Sequence, residues 1–411
     1  MKGASLGLAA LLVVGLFTAS AQTKTKSKKK SHVQRVTAAQ RAAAQQEIAR
    51  RIAAAAGIGF ENSEALEPFK QALGSGQPIH IIQFGDSHTA SDDWVNSMRT
   101  PLQAKFGDGG PGFVQAGRPY KGYRRFDAHG NQSLRWQAQG TMALRGDPDQ
   151  GLSGISISTE TPDQTVSLNA SGEHLSIFYL QQPGGGRVEL SVDSLPVGTF
   201  ATDGEPGPGI STWPLTPGPH DFSLRTLDRA WVRLFGWTVD NNQGLTFETL
   251  GINGAQAHVM LNWNETLWAS EIAARNPALV ILAYGTNEAN SRLWTLDQYR
   301  LDMAAIIDRI RRAAPNAAIL TIGPPDCGRV PLLHLSDVIA AQRDIARERK
   351  VAFWDWRAHM GGPGSVKLWV TAGYGQSDYI HMTGEGYRMV GETIVNALLE
   401  LQQNEQARED H

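Results

Sequence analysis

The sequence predicts an α/β protein: a three-layer α/β/α domain built on a parallel sheet and interrupted by an inserted all-β module of sandwich type. Three observations carry this. Apolar runs of strand length alternate with helix-length amphipathic stretches before residue 107 and after residue 245. Those runs are largely apolar, as in strands buried on both faces. Between them, residues 107–245 hold many glycines and prolines, little helical periodicity and several short β-like runs.

The chain begins with Met1-Lys2, then the apolar run ASLGLAALLVVGLFT, then small residues Ala19 and Ala21 at the spacing a signal peptidase reads. Residues 1–21 are therefore expected to be a signal peptide, with Gln22 as the mature start. The run is shorter than the ~20 residues of a comfortable span, so no integral membrane span is expected after cleavage; a retained anchor is the alternative. No other apolar stretch is long enough to span, and no cysteine follows the cleavage site to carry a lipid. Residues 22–37, with TKTKSKKKSH at their centre, read as a basic disordered tether. Export to the periplasm, or secretion, is the expected location.

Residues 38–106 hold the N-terminal helices and the first part of the α/β domain: a helix over 38–56, the strand PIHIIQF (78–84) and a helix over 91–106. The β module follows at 107–245, with strands at 174–180, 187–192, 220–227 and 230–239 punctuated by PGGG and TPGP. Residues 246–402 complete the α/β domain. LTFETLGI is followed by a helix over 256–274, a strand over 278–284, a helix over 297–314 and a strand over 317–323. A helix over 333–349, a strand over 351–356 and a last helix over 384–402 end the series. Residues 403–411 read as a tail.

Composition narrows the function classes. The 411 residues are 41% apolar and 19% charged with a net charge of −2, which gives no argument for nucleic acid as a partner. The single cysteine, Cys327, rules out an intrachain disulfide and a cysteine-rich zinc site.

In open parallel sheets, sites gather at the carboxyl ends of strands. After the first strand come Gly85, Asp86, Ser87 and His88. After LGI comes NGAQ, and after ALVILAY comes GTNEAN. The loop before the last helix reads SDYIHMTGEGY. These parts complement one another. A serine hydroxyl needs a base to become a nucleophile, and His381 can be that base for Ser87. Asp378, three residues earlier, can turn back to hold the imidazole. Asn287 offers a side-chain amide and Gly254 an unobstructed backbone N–H, both suited to an oxyanion hole. Taken singly, each has a plainer role as turn, cap or core residue; the set at strand ends points to acyl transfer.

The residues speak against other readings. The Gly-x-Ser-x-Gly elbow of α/β-hydrolases fails, because position 89 is Thr. Asp86 and His88 have the Asp-x-His form of dinuclear metallophosphoesterases, but GTNE lacks the histidine that class needs and no His-x-His occurs. A non-catalytic wall-binding protein has no reason to assemble all five groups. Trp94 and Trp294 follow site loops and are candidates to line the cleft; Trp213, Trp231 and Trp237 lie in the β module.

FGDSH, NGAQ, GTNE and DYIH resemble the four blocks of the SGNH (GDSL-type) hydrolases, in that family's order. The resemblance implies a flavodoxin-like sheet. It implies Ser87 as nucleophile and backbone oxyanion donor, Gly254 and Asn287 as the other donors, and Asp378 and His381 as the rest of the triad. The β module between the first two blocks, with GDSH, GTNE and an export signal, is similar to the bacterial peptidoglycan O-acetylesterases, whose insert resembles a carbohydrate-binding module. His88, in place of the Leu of GDSL, fits that narrower likeness and is expected to pack or hydrogen-bond rather than transfer protons. The implied substrate is an O-acetylated cell-wall glycan, the ester on O6 of N-acetylmuramic acid, hydrolysed without cofactor or metal. Acetyl transfer to a sugar, or an acetylxylan-type esterase, would use the same groups.

Overall fold

The structure, a computed structural model, describes residues 36–55, 57–140, 147–293, 295–328 and 332–409, the last eight by backbone alone. The expected signal peptide, the tether up to residue 35 and the end of the expected tail lie outside the described residues. Among the described residues no helix is long and apolar enough to cross a membrane.

Five strands form the parallel sheet: β1 (Ile79–Gly85), β2 (Leu245–Gly251), β3 (Leu279–Ala283), β4 (Ala318–Ile322) and β5 (Ala352–Trp354), in the order 2-1-3-4-5. Every neighbouring pair is parallel. The strands are nearly all apolar because both faces are covered. On one face Ile82, Phe84, Val280, Leu282 and Phe353 pack against helices Glu265–Arg275, Leu296–Ala313 and Leu335–Glu348. On the other, Ile79, Ile81, Leu279, Ile281 and Trp354 pack against helices Ala38–Ala55, Asp93–Phe106 and Gly384–Glu409. Alternate residues of each strand thus feed alternate cores, and each buried Leu, Ile or Phe contributes roughly 1.5–3 kcal/mol. The sheet reverses its order between β1 and β3, which opens a crevice at their carboxyl ends.

Several elements depart from the sequence expectation. The helix expected over 256–274 is two pieces, a 3-10 helix Ala257–Asn262 and the α-helix Glu265–Arg275. Trp263 is extended between them, and Asn264 caps the second by accepting from the N–H groups of Thr266 and Leu267. The helix expected over 91–106 starts at Asp93, after the short turn Ser87–Ala90, because Asp92 is left-handed at φ 60°. The last helix continues to Glu409, past its expected end at 402. Short helices Glu67–Gly74 and Ser365–Ala372 were not anticipated.

Between β1 and β2 the described residues build a second, antiparallel sheet of nine strands. It is one continuous hydrogen-bonded sheet with its own apolar core, which includes Trp136, Leu168, Ile177, Leu224 and Trp237. Its long strands, Thr165–Gln181 and Gly207–Thr226, pair along their length with a bulge between Gly172 and His174. This region also gives Phe113, Phe178, Leu180 and Phe235 to the core above the first sheet face. Two buried charge clusters join it to the parallel sheet. Asp92 holds Arg99 at 2.8 Å, with Arg125 and Asp127 alongside. Arg275 bridges Glu248 on β2 and Asp240 at the end of strand Val232–Asp240, at 2.6 Å each.

Glu271 offers a measurable consequence of this packing. It is buried on helix Glu265–Arg275 and accepts the Leu152 N–H at 2.7 Å, and burial pushes its carboxyl up to about 8. The fold therefore binds this proton more tightly than the unfolded chain does. The stabilisation is fully present below the ordinary value of 4.5 and is lost as pH rises through about 8. Each tenfold step in proton affinity is about 1.4 kcal/mol. Glu271→Gln, which keeps an acceptor and cannot ionise, is expected to melt higher than the parent, by a margin that widens from pH 5 to pH 8.5. A margin that is flat or narrows with pH refutes this reading of Glu271.

Candidate active site

Three strand ends lie level: Gly85 pairs in register with Gly251 on one side and with Ala283 on the other. The loops that leave them, carrying Ser87, Gly254 and Asn287, therefore start from one line across the crevice. Ser87 opens the helical turn Ser87–Ala90, so its N–H has no partner within that helix. Asp86 caps the turn by accepting the His88 N–H at 3.0 Å. The turn lies so close to the sheet that only glycine fits beneath it. A Cβ on Gly251 would stand 2.1 Å from the Ala90 nitrogen, and one on Gly85 would stand 2.1 Å from Thr89 Oγ1.

The fourth loop folds back over these ends. Gln376 N–H donates to His381 O at 2.8 Å, Tyr379 N–H donates to Gln376 O at 3.1 Å, and Gly375 bridges Met382. This closure forces Tyr379 into the left-handed region at φ 61°, a conformation that costs free energy in a bulky residue. The kink turns Asp378 back on its own loop. Its Oδ1 accepts the N–H groups of Ile380 and His381 at 2.9 and 3.1 Å, and its Oδ2 meets His381 Nδ1 at 2.7 Å. His381 Nε2 lies 2.8 Å from Ser87 Oγ. Partial burial pushes the Asp378 carboxyl up, but the bonds from His381 and the two backbone N–H groups outweigh it and hold it below its ordinary value. Asp378 thus stays ionised to accept the Nδ1–H, which leaves Nε2 to face the hydroxyl.

Ser87, Gly254, Asn287 and His381 line one cleft of about 330 Å³ with Asn253, Thr286, Asn290, Leu332 and Ile380. The structure thus brings together all five residues singled out in the sequence, Asp378 standing behind His381. Gly254 has φ 76°, which a side chain would strain. Asn287 Nδ2 donates to Ala255 O at 2.9 Å and makes a longer, 3.4 Å contact to Asp86 Oδ2. Burial pushes the Asp86 carboxyl up to about 6, against the pull of the His88 N–H and of the His381 charge. Leu332, Ile380 and the asparagines of the wall carry no local signal and were not anticipated.

His88 is buried, with Nδ1 2.9 Å from the Tyr387 hydroxyl and its ring edge-on to Trp356. Burial, with nearby His381, lowers it to about 3, so it stays neutral. With Asp86 spent on the turn and His88 on Tyr387, the Asp-x-His pair does not present two ligands to one metal. Among the described residues no group of three or more His, Cys, Asp or Glu side chains has the arrangement of a metal site. Trp94 does not line the cleft: it is fully buried and packs on Trp356. Trp237 is likewise core, Trp213 packs on Phe200, and Trp294 lies outside the described residues.

The close approach at Gly251 makes a prediction. Gly251→Ala must lift the Ser87 turn or bend the strand end. It is expected to lower kcat on a small ester at least about tenfold, because reacting groups must sit within ~0.5 Å of their working positions. A variant with parental kcat would show that the turn does not depend on this contact.

A model of the GDSL-like lipase/acylhydrolase family matches residues 193–389, a stretch that holds Gly254, Asn287, Asp378 and His381 and begins after Ser87. The chain is similar to the solved structure of a peptidoglycan O-acetylesterase, with 28% identity and a TM-score of 0.71 over 82% of this chain and 96% of the other. It also matches a family two carbohydrate esterase from Clostridium thermocellum, with 15% identity over 65% of this chain and 97% of that one, at a TM-score of 0.31. A family two carbohydrate esterase from Cellvibrio japonicus matches at 11% identity over 67% and 98%, at a TM-score of 0.32. These last two are too distant to bear on substrate. No curated protein sequence matches. The parallel sheet, the family match and the extended likeness to one solved esterase agree: the chain resembles the SGNH (GDSL-type) hydrolases and is a carboxylic ester hydrolase.

Proposed function

We propose that the protein is an exported serine esterase that removes O-acetyl groups from a cell-wall polysaccharide, namely O-acetylated peptidoglycan at O6 of N-acetylmuramic acid. The observation that carries the chemistry is the unbroken hydrogen-bond chain Ser87–His381–Asp378 opening into a cleft that Gly254 and Asn287 also line. The likeness to a peptidoglycan O-acetylesterase over 82% of the chain supports the substrate, and the N-terminal sequence supports a periplasmic location. In this reading residues 38–106 and 246–402 make up the hydrolase domain, and 107–245 its inserted β module.

The reaction runs in two steps. His381 takes the Ser87 proton as Oγ attacks the acetyl carbonyl, and Asp378 stabilises the imidazolium that forms. The oxyanion is held by the Ser87 and Gly254 N–H groups and by the Asn287 amide. That amide exchanges its long contact with Asp86 for the developing charge. His381 then protonates the departing sugar oxygen, and acetyl-Ser87 remains. Water, activated by the same histidine, attacks the acetyl carbonyl and releases acetate, and the proton returns to Ser87. No step requires a metal or organic cofactor.

Acetate release from O-acetylated peptidoglycan, measured beside acetylated xylan, tests the reading. Ser87→Ala is expected to abolish release while keeping the parental Tm; turnover near parental would sink the mechanism. Release from xylan alone would keep the chemistry and discard the substrate. Asn287→Ala is expected to cost roughly 10²–10³ in kcat, about 2.7–4 kcal/mol in the barrier. A loss confined to KM would remove Asn287 from the oxyanion hole.

A further inference from the structure

A second cavity of about 480 Å³ adjoins the cleft, and Gly254 lines both. They therefore meet at the loop after β2. The size falls within the ~300–1,000 Å³ of small-molecule sites. None of Ser87, Asn287 or His381 lines this cavity, so the proposed chemistry leaves it unused.

Its wall has a definite character. Gln256 and His258 come from one side, and Ser291, Gln298 and Asp302 from another. Val259 and Leu293 add apolar surface, Leu293 being 94% exposed. The amides are half engaged: Gln256 Nε2 donates to Asn287 O at 3.3 Å, and Gln298 Nε2 donates to Asp302 Oδ1 at 2.8 Å. Their oxygens remain as acceptors. Ser291 Oγ accepts the Leu293 N–H at 3.2 Å, which leaves its hydrogen to donate. Glu288, the residue after Asn287, also lines the cavity. It is 2% exposed, its Oε1 accepts the Ala257 N–H at 2.7 Å, and its Oε2 has no hydrogen-bond partner among the described residues. Among the described residues no Lys or Arg lines the space, and the carboxylate of Asp302 does, so an anion is disfavoured. Acceptors and hydroxyls beside an apolar patch suit an uncharged, hydroxylated ring with one polar edge and one apolar face.

We propose that this cavity binds the sugar unit next to the acetylated one, so that the enzyme reads a glycan chain rather than an isolated acetyl sugar. The proposal rests on the glycan deacetylase reading above. It makes Gln298 and Ser291 specificity residues that act on chain length and leave the acyl chemistry to the cleft.

The test uses the mature chain with the cavity narrowed by Ser291→Trp and, separately, its polar wall trimmed by Gln298→Ala. Values of kcat/KM are compared for an O-acetylated peptidoglycan tetrasaccharide, an O-acetylated monosaccharide and p-nitrophenyl esters of acetate and octanoate. The parent is expected to favour the tetrasaccharide over the monosaccharide roughly tenfold or more. Ser291→Trp should bring that ratio to about one, and Gln298→Ala should lower it. A ratio that both variants leave unchanged overturns the proposal. So does a selective loss on the octanoate ester, which would make the cavity an acyl-chain pocket. Hydrolysis of p-nitrophenyl acetate with no release from either sugar would remove the glycan reading itself, and the subsite with it.

Discussion

The arrangement depends on one buried carboxylate. Asp92 is inaccessible and left-handed, five residues beyond Ser87, where the serine turn becomes helix Asp93–Phe106. Its two oxygens receive Arg99 from that helix, the Thr249 hydroxyl from β2 and the Phe126 N–H from the segment leading into the antiparallel sheet. Arg125 stands 3.7 Å away and is itself held by Asp127 and by the carbonyls of Pro111 and Phe113. One group thus pins the turn, the helix, a strand and the start of the β region. Removing a single partner from such a cluster leaves a charge buried and uncompensated, a cost of about 3–5 kcal/mol. The backbone strain at Asp92 persists because so many contacts specify it.

With the turn pinned, the geometry of the cleft follows from the sheet. Level strand ends at Gly85, Gly251 and Ala283 set three loops side by side, and two glycines without room for a Cβ let the serine turn settle onto them. The histidine loop is held differently, by its own backbone closure and a strained Tyr379. The two halves are unequal in rigidity by construction: one is seated on a sheet, and the other is a short loop tied at Gln376 and at the Gly328–Tyr379 bond. Buried acids stand behind the cleft. Asp86 is raised to about 6 and Glu288 to about 7, each chiefly by burial, so the floor of the site carries less negative charge near neutrality than its sequence suggests.

Much of this was legible in the sequence because it is written locally. Largely apolar, β-like runs identified the five buried strands, and the residues after them identified the cleft. What escaped is non-local. Strand Gly207–Thr226 contains Pro208, Pro214, Pro217 and Pro219, which argue against a strand. It forms because residues 207–219 pair with a neighbour on one side only, where missing N–H groups facing away do no harm. The break before Asn264 was readable as a cap signal but was masked by the apolar residues on both sides. Trp94 was a candidate for the cleft by its position in sequence alone; helix Asp93–Phe106 turns it inward, as most tryptophans pack. Leu332 and Ile380 reach the cleft only through long-range folding.

The shared core has a mechanical consequence. Phe178, Leu180 and Phe235 of the antiparallel sheet belong to the same apolar mass as Trp268, Ile272 and the face of the parallel sheet. A segment attached in this way is not a detachable accessory. Cutting it out would leave Trp268 and its neighbours facing water, and the remaining strands would lose part of the free energy that holds them. Residues 37–411 form one compact unit. Whatever the antiparallel sheet touches is then touched by the same rigid object that carries Ser87.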